Sequence, residues 1–124
     1  MLELNIFSEL KKLRSLDLSG NSLLISKGSI NSTFSKLNDL SLSSCNLHEF
    51  PDFLKDQNEL AVLDLSNNKI EGKVPRWFWN VGKETLIYLD LSHNSLSIFE
   101  QPPILPWKMM NFWTSVPTSW EDRL

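Results

Sequence analysis

Cysteine is almost absent: the 124 residues hold one, Cys45. A single thiol excludes an internal disulfide framework and a cysteine-rich zinc site. Two histidines leave little material for any other metal centre. Neither sign of charge is in large excess. The 12 Lys+Arg against 15 Asp+Glu give a net charge of -3, whereas a nucleic-acid binder wants a basic surface. No apolar run approaches the ~20 residues that span a bilayer. The richest aromatic stretch, Ile104 to Trp120, is broken by Pro106, Lys108 and Pro117. Met1-Leu2-Glu3-Leu4 has neither the basic nor the apolar region of a secretory signal. As written, the chain is expected neither to enter the secretory route nor to anchor itself. G-x-G-x-x-G, the P-loop and H-E-x-x-H are missing. Hydrophobic residues at 41% and charged residues at 22% still describe a globular chain, and its length suits one domain.

Leucine, serine and asparagine are plentiful, and together they supply 50 of the 124 residues. A repeat explains that bias. Leu13-Arg-Ser-Leu16-Asp-Leu18-Ser-Gly-Asn21-Ser-Leu23 is matched by Leu37-Asn-Asp-Leu40-Ser-Leu42-Ser-Ser-Cys45-Asn-Leu47. Leu60-Ala-Val-Leu63-Asp-Leu65-Ser-Asn-Asn68-Lys-Ile70 and Leu86-Ile-Tyr-Leu89-Asp-Leu91-Ser-His-Asn94-Ser-Leu96 follow in the same frame. The starts lie 24, 23 and 26 residues apart. The frame is L-x-x-L-x-L-x-x-N/C-x-L at a period of ~20–29 residues, the mark of a solenoid. Alternation in each x-x-L-x-L run predicts a strand. Leu16/Leu18, Leu40/Leu42, Leu63/Leu65 and Leu89/Leu91 should point inward, with Leu23, Leu47, Ile70 and Leu96 filling the following turn. Asn21, Asn68 and Asn94 should lie inside, pairing with backbone groups that no strand satisfies. Cys45 takes that place in the second repeat. On the return legs, Val74, Phe78 and Val81 should face the core. No L-x-x-L-x-L frame fits after Lys108, so residues 1–108 are read as the repeat domain and 109–124 as a non-repeat tail.

At these residues the sequence resembles the ectodomains of plant leucine-rich-repeat receptor-like proteins, immune receptors of the Cf and Verticillium-wilt-resistance type. More specific signs are Leu42-Ser-Ser-Cys-Asn-Leu-His-Glu-Phe-Pro-Asp-Phe-Leu54, Leu63-Asp-Leu-Ser-Asn-Asn-Lys-Ile-Glu-Gly-Lys-Val-Pro75 and Gly82-Lys-Glu-Thr-Leu86. Phe99-Glu-Gln-Pro-Pro103 and Leu105-Pro-Trp107 carry it further. The resemblance implies an α/β-type right-handed solenoid. Its parallel sheet lines the concave face, and short helical or irregular return legs form the convex face. It also implies a non-enzymatic, extracellular recognition module that binds a protein or peptide ligand in defence signalling. The full-length family member sits at the plasma membrane and signals through a partner receptor kinase. The signal peptide, cysteine-paired caps and transmembrane helix of that family are missing from the sequence, which reads as a truncated fragment. Two alternatives stand beside this reading: an inhibitor of a secreted microbial enzyme, and a truncated product with no function of its own.

No catalytic residue, metal or cofactor is expected. Cys45 with His48 or His93 can be written as a thiol–imidazole pair, but the ladder position of Cys45 argues for burial. The ligand-binding candidates are the exposed strand positions Asp39, Asp64, Tyr88, Asp90 and His93; aromatic groups there give contact area at low entropy cost. Asp17, Asp64 and Asp90 share a column. With strands ~4.8 Å apart, Asp64 and Asp90 are neighbouring like charges that a cation or basic group relieves. Asn31-Ser32-Thr33 is a glycosylation sequon on a return leg. Trp77 and Trp79 flank the inward-facing Phe78, either as a partner surface or as packing against the next coil.

Overall fold

The computed structural model describes residues 1–25, 34–99 and 112–114, with side chains for 1–25 and 34–96. Its strands are β1 (Leu2–Glu3), β2 (Ser15–Asp17), β3 (Leu23–Leu24), β4 (Asp39–Ser41), β5 (Val62–Asp64), β6 (Glu71–Val74), β7 (Tyr88–Asp90), β8 (Ser95–Phe99) and β9 (Phe112–Thr114). Coils 1 to 4 begin at Leu13, Leu37, Leu60 and Leu86.

One leucine-centred triplet per coil builds the main sheet. It is parallel, in the order β2-β4-β5-β7-β9. Leu16, Leu40, Leu63 and Leu89 share one column of the register. All four are buried, as are Leu18, Leu42, Leu65 and Leu91. The ladder continues beyond the strands. Leu42 N donates to Asp64 O at 2.9 Å, and Leu65 N donates to Asp90 O at 2.9 Å. Each coil then turns out of the sheet through a left-handed residue: Gly20 (φ 81°), Ser44 (55°), Asn67 (56°) and His93 (55°) occupy the same repeat position.

The return legs are more ordered than a loop. Leu23, Leu47, Ile70 and Leu96 are buried as expected. Around them runs a second layer of parallel pairs, β1 with β3 and β6 with β8. Pro51 and Pro75, at φ -63° and -67°, then start the 3₁₀ turns Asp52–Asp56 and Arg76–Asn80. The fixed φ of proline suits the entry to such a turn. Val74, Phe78 and Val81 are buried. Aromatic rings meet from coil to coil: Phe34 stacks on Phe53 at 4.4 Å between centroids, and Phe50 packs tilted against Phe78 at 4.7 Å.

One strand lies beyond the last leucine frame, and one expectation changes. β9 lies within residues 109–124, read from the sequence as a non-repeat tail. It pairs with β7 in the register Leu89↔Trp113. Backbone groups make that pairing, so it does not require the leucine frame the segment lacks. Asn21, expected inside, is exposed. Among the described residues β2 is the outer strand of the main sheet, and only the short β1 segment lies beside coil 1 on that side.

Candidate functional site: the exposed face of the parallel sheet

The residues flanking each buried leucine point outward and line up across the strands. Asp39 registers with Val62 and then Tyr88, and Ser41 with Asp64 and then Asp90. Asp64, Tyr88 and Asp90 therefore form one patch on adjacent strands. Burial raises the Tyr88 phenol above its ordinary pKa, and the Asp90 and Asp64 carboxylates raise it further. Asp39 sits two strands away from Tyr88, exposed. His93 is exposed too, in the turn that follows β7. Its left-handed backbone gives it a structural duty besides any contact.

The carboxylates in this column are partly engaged on their own strands. Asp17 Oδ1 accepts from Ser19 N, Asp64 Oδ1 from Ser66 N, and Asp90 Oδ1 from Ser92 N, each at 2.9 Å. Ser92 Oγ also donates to Asp90 Oδ1 at 2.5 Å. The bonds from Ser19 hold the Asp17 carboxyl below the usual carboxylate value. Asp64 and Asp90 each take a serine N–H on their own coil while standing opposite one another in the register. The sequence reasoning missed this serine column. Its signal was Asp-Leu-Ser in three of the four repeats, an aspartate two residues before a hydrogen-bonding serine N–H. It missed as well a polar chain at the strand entrances, where Arg14 Nε donates to Asn38 Oδ1 at 2.9 Å and Arg14 Nη2 reaches Glu59 Oε1 at 3.1 Å.

Behind the face runs the amide ladder. Asn68 Oδ1 accepts from Cys45 N at 2.9 Å and Leu47 N at 3.0 Å. Its Nδ2 reaches Leu42 O at 2.9 Å and Leu65 O at 3.0 Å. Asn94 repeats the pattern toward Ile70 N at 3.1 Å and Leu65 O at 2.9 Å. Asn21 Nδ2 bonds Leu18 O at 3.0 Å, within its own coil. Cys45 Sγ reaches Leu18 O of coil 1 at 3.2 Å, doing with one weak donor what asparagine does with an amide. Its thiol is fully buried, and burial raises its pKa; both properties oppose a nucleophilic role. The sequon Asn31 lies outside the described residues. Trp79 is buried, while Trp77 is half-buried and stands nearly perpendicular to the ring of Phe50, 6.5 Å between centroids. Among the described residues no three His, Cys, Asp or Glu side chains are grouped to hold a metal ion, and no helix is long and apolar enough to cross a membrane.

A parallel sheet with an asparagine ladder and a buried leucine column defines a stacked-coil recognition scaffold, a class that works through its exposed sheet. The comparisons specify it further. A leucine-rich-repeat family model matches residues 35–96, and a second such model matches residues 12–37. The chain belongs to the leucine-rich-repeat family. It is similar to plant receptor-like proteins. Receptor-like protein 7 of Arabidopsis thaliana is 50% identical over 79% of this chain and 10% of its own length. Receptor-like protein 47 of the same plant is 47% identical over 82% of this chain and 12% of its own length. The chain thus spans about a tenth of the length of these relatives. No solved structure matches it.

Proposed function

We propose that this chain is a receptor-type recognition module, non-enzymatic, whose exposed sheet face binds a protein or peptide ligand on the extracellular side of a plant plasma membrane. The observation that carries the reading is the near-50% identity to receptor-like proteins across about four fifths of the chain. The patch of Asp64, Tyr88 and Asp90 supplies the contact chemistry, one amphipathic ring beside a pair of carboxylates. Asp39 and His93 extend it along the face. Defence signalling and a partner receptor kinase belong to the longer protein that such a module serves.

The experiment is a retention assay. Extracellular fluid from pathogen-treated leaves is passed over the immobilised chain, and the bound protein is identified. Tyr88→Ala and Asp90→Ala should each release it, since truncating a central contact costs at least about tenfold in affinity. Arg14→Ala, at the strand entrance, should retain it. Equal retention by all three variants would remove the sheet face as the binding surface.

A further inference from the structure

The exposed sheet face is not uniform from end to end. The two residues before the central leucine are Arg14-Ser15 in coil 1 and Asn38-Asp39 in coil 2, but Ala61-Val62 in coil 3 and Ile87-Tyr88 in coil 4. Val62 and Tyr88 stand opposite one another in the register, each half-buried beside a buried leucine. Ile87 N bonds to Ala61 O at 2.9 Å, which sets those two residues side by side at the strand entrance. Ile87 is exposed, and the other exposed large apolar side chains among the described residues, Met1, Ile6, Leu10 and Leu24, all precede coil 2. An apolar cluster rimmed by polar residues is the form of a protein interaction site.

The rim here is acidic. Asp39 registers with Val62 from the coil 2 side. Asp64 and Asp90 follow two residues along their strands from Val62 and Tyr88. Among the described residues no ion pair joins any of the three to a cation. Arg14 and Lys36, ahead of the strands of coils 1 and 2, are taken up elsewhere: Glu59 holds Arg14 at 3.1 Å, and Lys36 Nζ bonds to Asp56 O. The serine N–H groups on Asp64 and Asp90 use Oδ1 of each and are neutral, so both carboxylates keep their charge. Burial raises the Tyr88 phenol first and these two carboxylates raise it further, so their field reaches the apolar cluster.

We infer that the sheet face selects an extended ligand segment that carries an aliphatic or aromatic side chain and, two residues along, a Lys or Arg. The inference rests on the sheet face being the binding surface and adds the class of ligand. Side chains at i and i+2 of an extended segment fall on one side, ~6.6 Å apart. Val62 and Asp64 have that spacing on β5, as do Tyr88 and Asp90 on β7. A segment laid in line with the strands therefore sets its apolar side chain on Val62, Ile87 and Tyr88, and its cation between Asp64 and Asp90. Neighbouring strands ~4.8 Å apart put both carboxylates within reach of one guanidinium. An acidic segment meets like charge on the same rim and is disfavoured.

The test titrates the isotope-labelled chain with acetyl-Ser-Phe-Ser-Arg-Ser-amide, followed by NMR. Saturable shifts are expected at Val62, Asp64, Tyr88 and Asp90. The glutamate analogue, acetyl-Ser-Phe-Ser-Glu-Ser-amide, should bind roughly tenfold more weakly. Acetyl-Ser-Phe-Arg-Ser-Ser-amide, with its two side chains on opposite sides, should bind roughly threefold more weakly. Asp64→Asn combined with Asp90→Asn keeps an acceptor for each serine N–H. It should weaken the arginine peptide roughly threefold to tenfold and strengthen the glutamate analogue, a reversal that a merely structural role would not give. Salt supplies a reading without any variant: raising NaCl from about 20 mM to about 500 mM should weaken the arginine peptide only. Equal affinity for the arginine and glutamate peptides, with shifts on the face, would overturn the ligand class and leave the sheet face as the binding surface. Shifts confined to other surfaces, or none, would overturn the inference too, and the retention assay then decides the sheet-face reading on its own.

Discussion

Asn68 ties two coils together through one side chain, and its neighbour Asn67 only turns the chain. Removing the Asn68 amide leaves Cys45 N, Leu47 N and Leu42 O without their buried partner, at ~1–3 kcal/mol. Asn67→Ala should cost about 1 kcal/mol for a different reason, the left-handed backbone at φ 56°. Replacing Asn67 with glycine should therefore restore stability, whereas Asn68→Gly should not. Urea midpoints of the four variants check this. Ser44 holds the same left-handed position at φ 55°, so Ser44→Gly should be neutral or stabilising. Cys45 makes a separate prediction. Burial hides the thiol and raises its pKa, so a disulfide reagent should react slowly with the native chain and rapidly once urea unfolds it. Fast native labelling would mean that coil 1 lifts off coil 2 readily.

At the scale of the element, Leu65→Ala should cost ~2–5 kcal/mol, because Leu65 is fully buried between coils. Asp64→Ala removes a partly exposed carboxylate and one bond to Ser66 N, and should cost about 1 kcal/mol or less. Gly82→Ala should also be costly. Its Cβ would stand 2.8 Å from Leu60 O at a φ of 55°, and such strain costs about 1–3 kcal/mol. Thermal denaturation ranks the three. The main sheet was legible because its period-2 leucines are buried on one side only, and a one-residue slip would expose them all. The return legs were legible only as buried positions. Their pairing is made by backbone groups, Leu2 and Glu3 with Leu23 and Leu24 in one pair and Glu71 to Val74 with Ser95 to Phe99 in the other, in segments too short or too polar to show apolar alternation. β9 was invisible for the same reason: Phe112 to Thr114 join an existing edge through backbone pairing with β7. In the candidate site, the patch of Asp64, Tyr88 and Asp90 followed from register. The use of each aspartate by its own serine needed geometry.

Across the whole molecule, each coil is stabilised by the coils on either side of it. Coils 2 and 3 have a neighbour on both faces, so the amides of Leu42 and Leu65, bonded across to the next coil, should exchange most slowly with solvent. Leu2 N, bonded to Ser22 O at the chain start, should exchange much faster. Uniform protection along the chain would mean that it unfolds as one unit rather than from its ends. The direction of the bonds has a mechanical consequence. The hydrogen bonds between coils lie along the axis of stacking, so force applied along that axis loads them end-on. They break in succession, as a zipper opens, instead of resisting together in shear. Each released coil of 23–26 residues frees roughly 80 Å of chain at ~3.3–3.6 Å per residue. Stretched between two surfaces, the chain should lengthen in low, evenly spaced steps, behaving as an extensible tether.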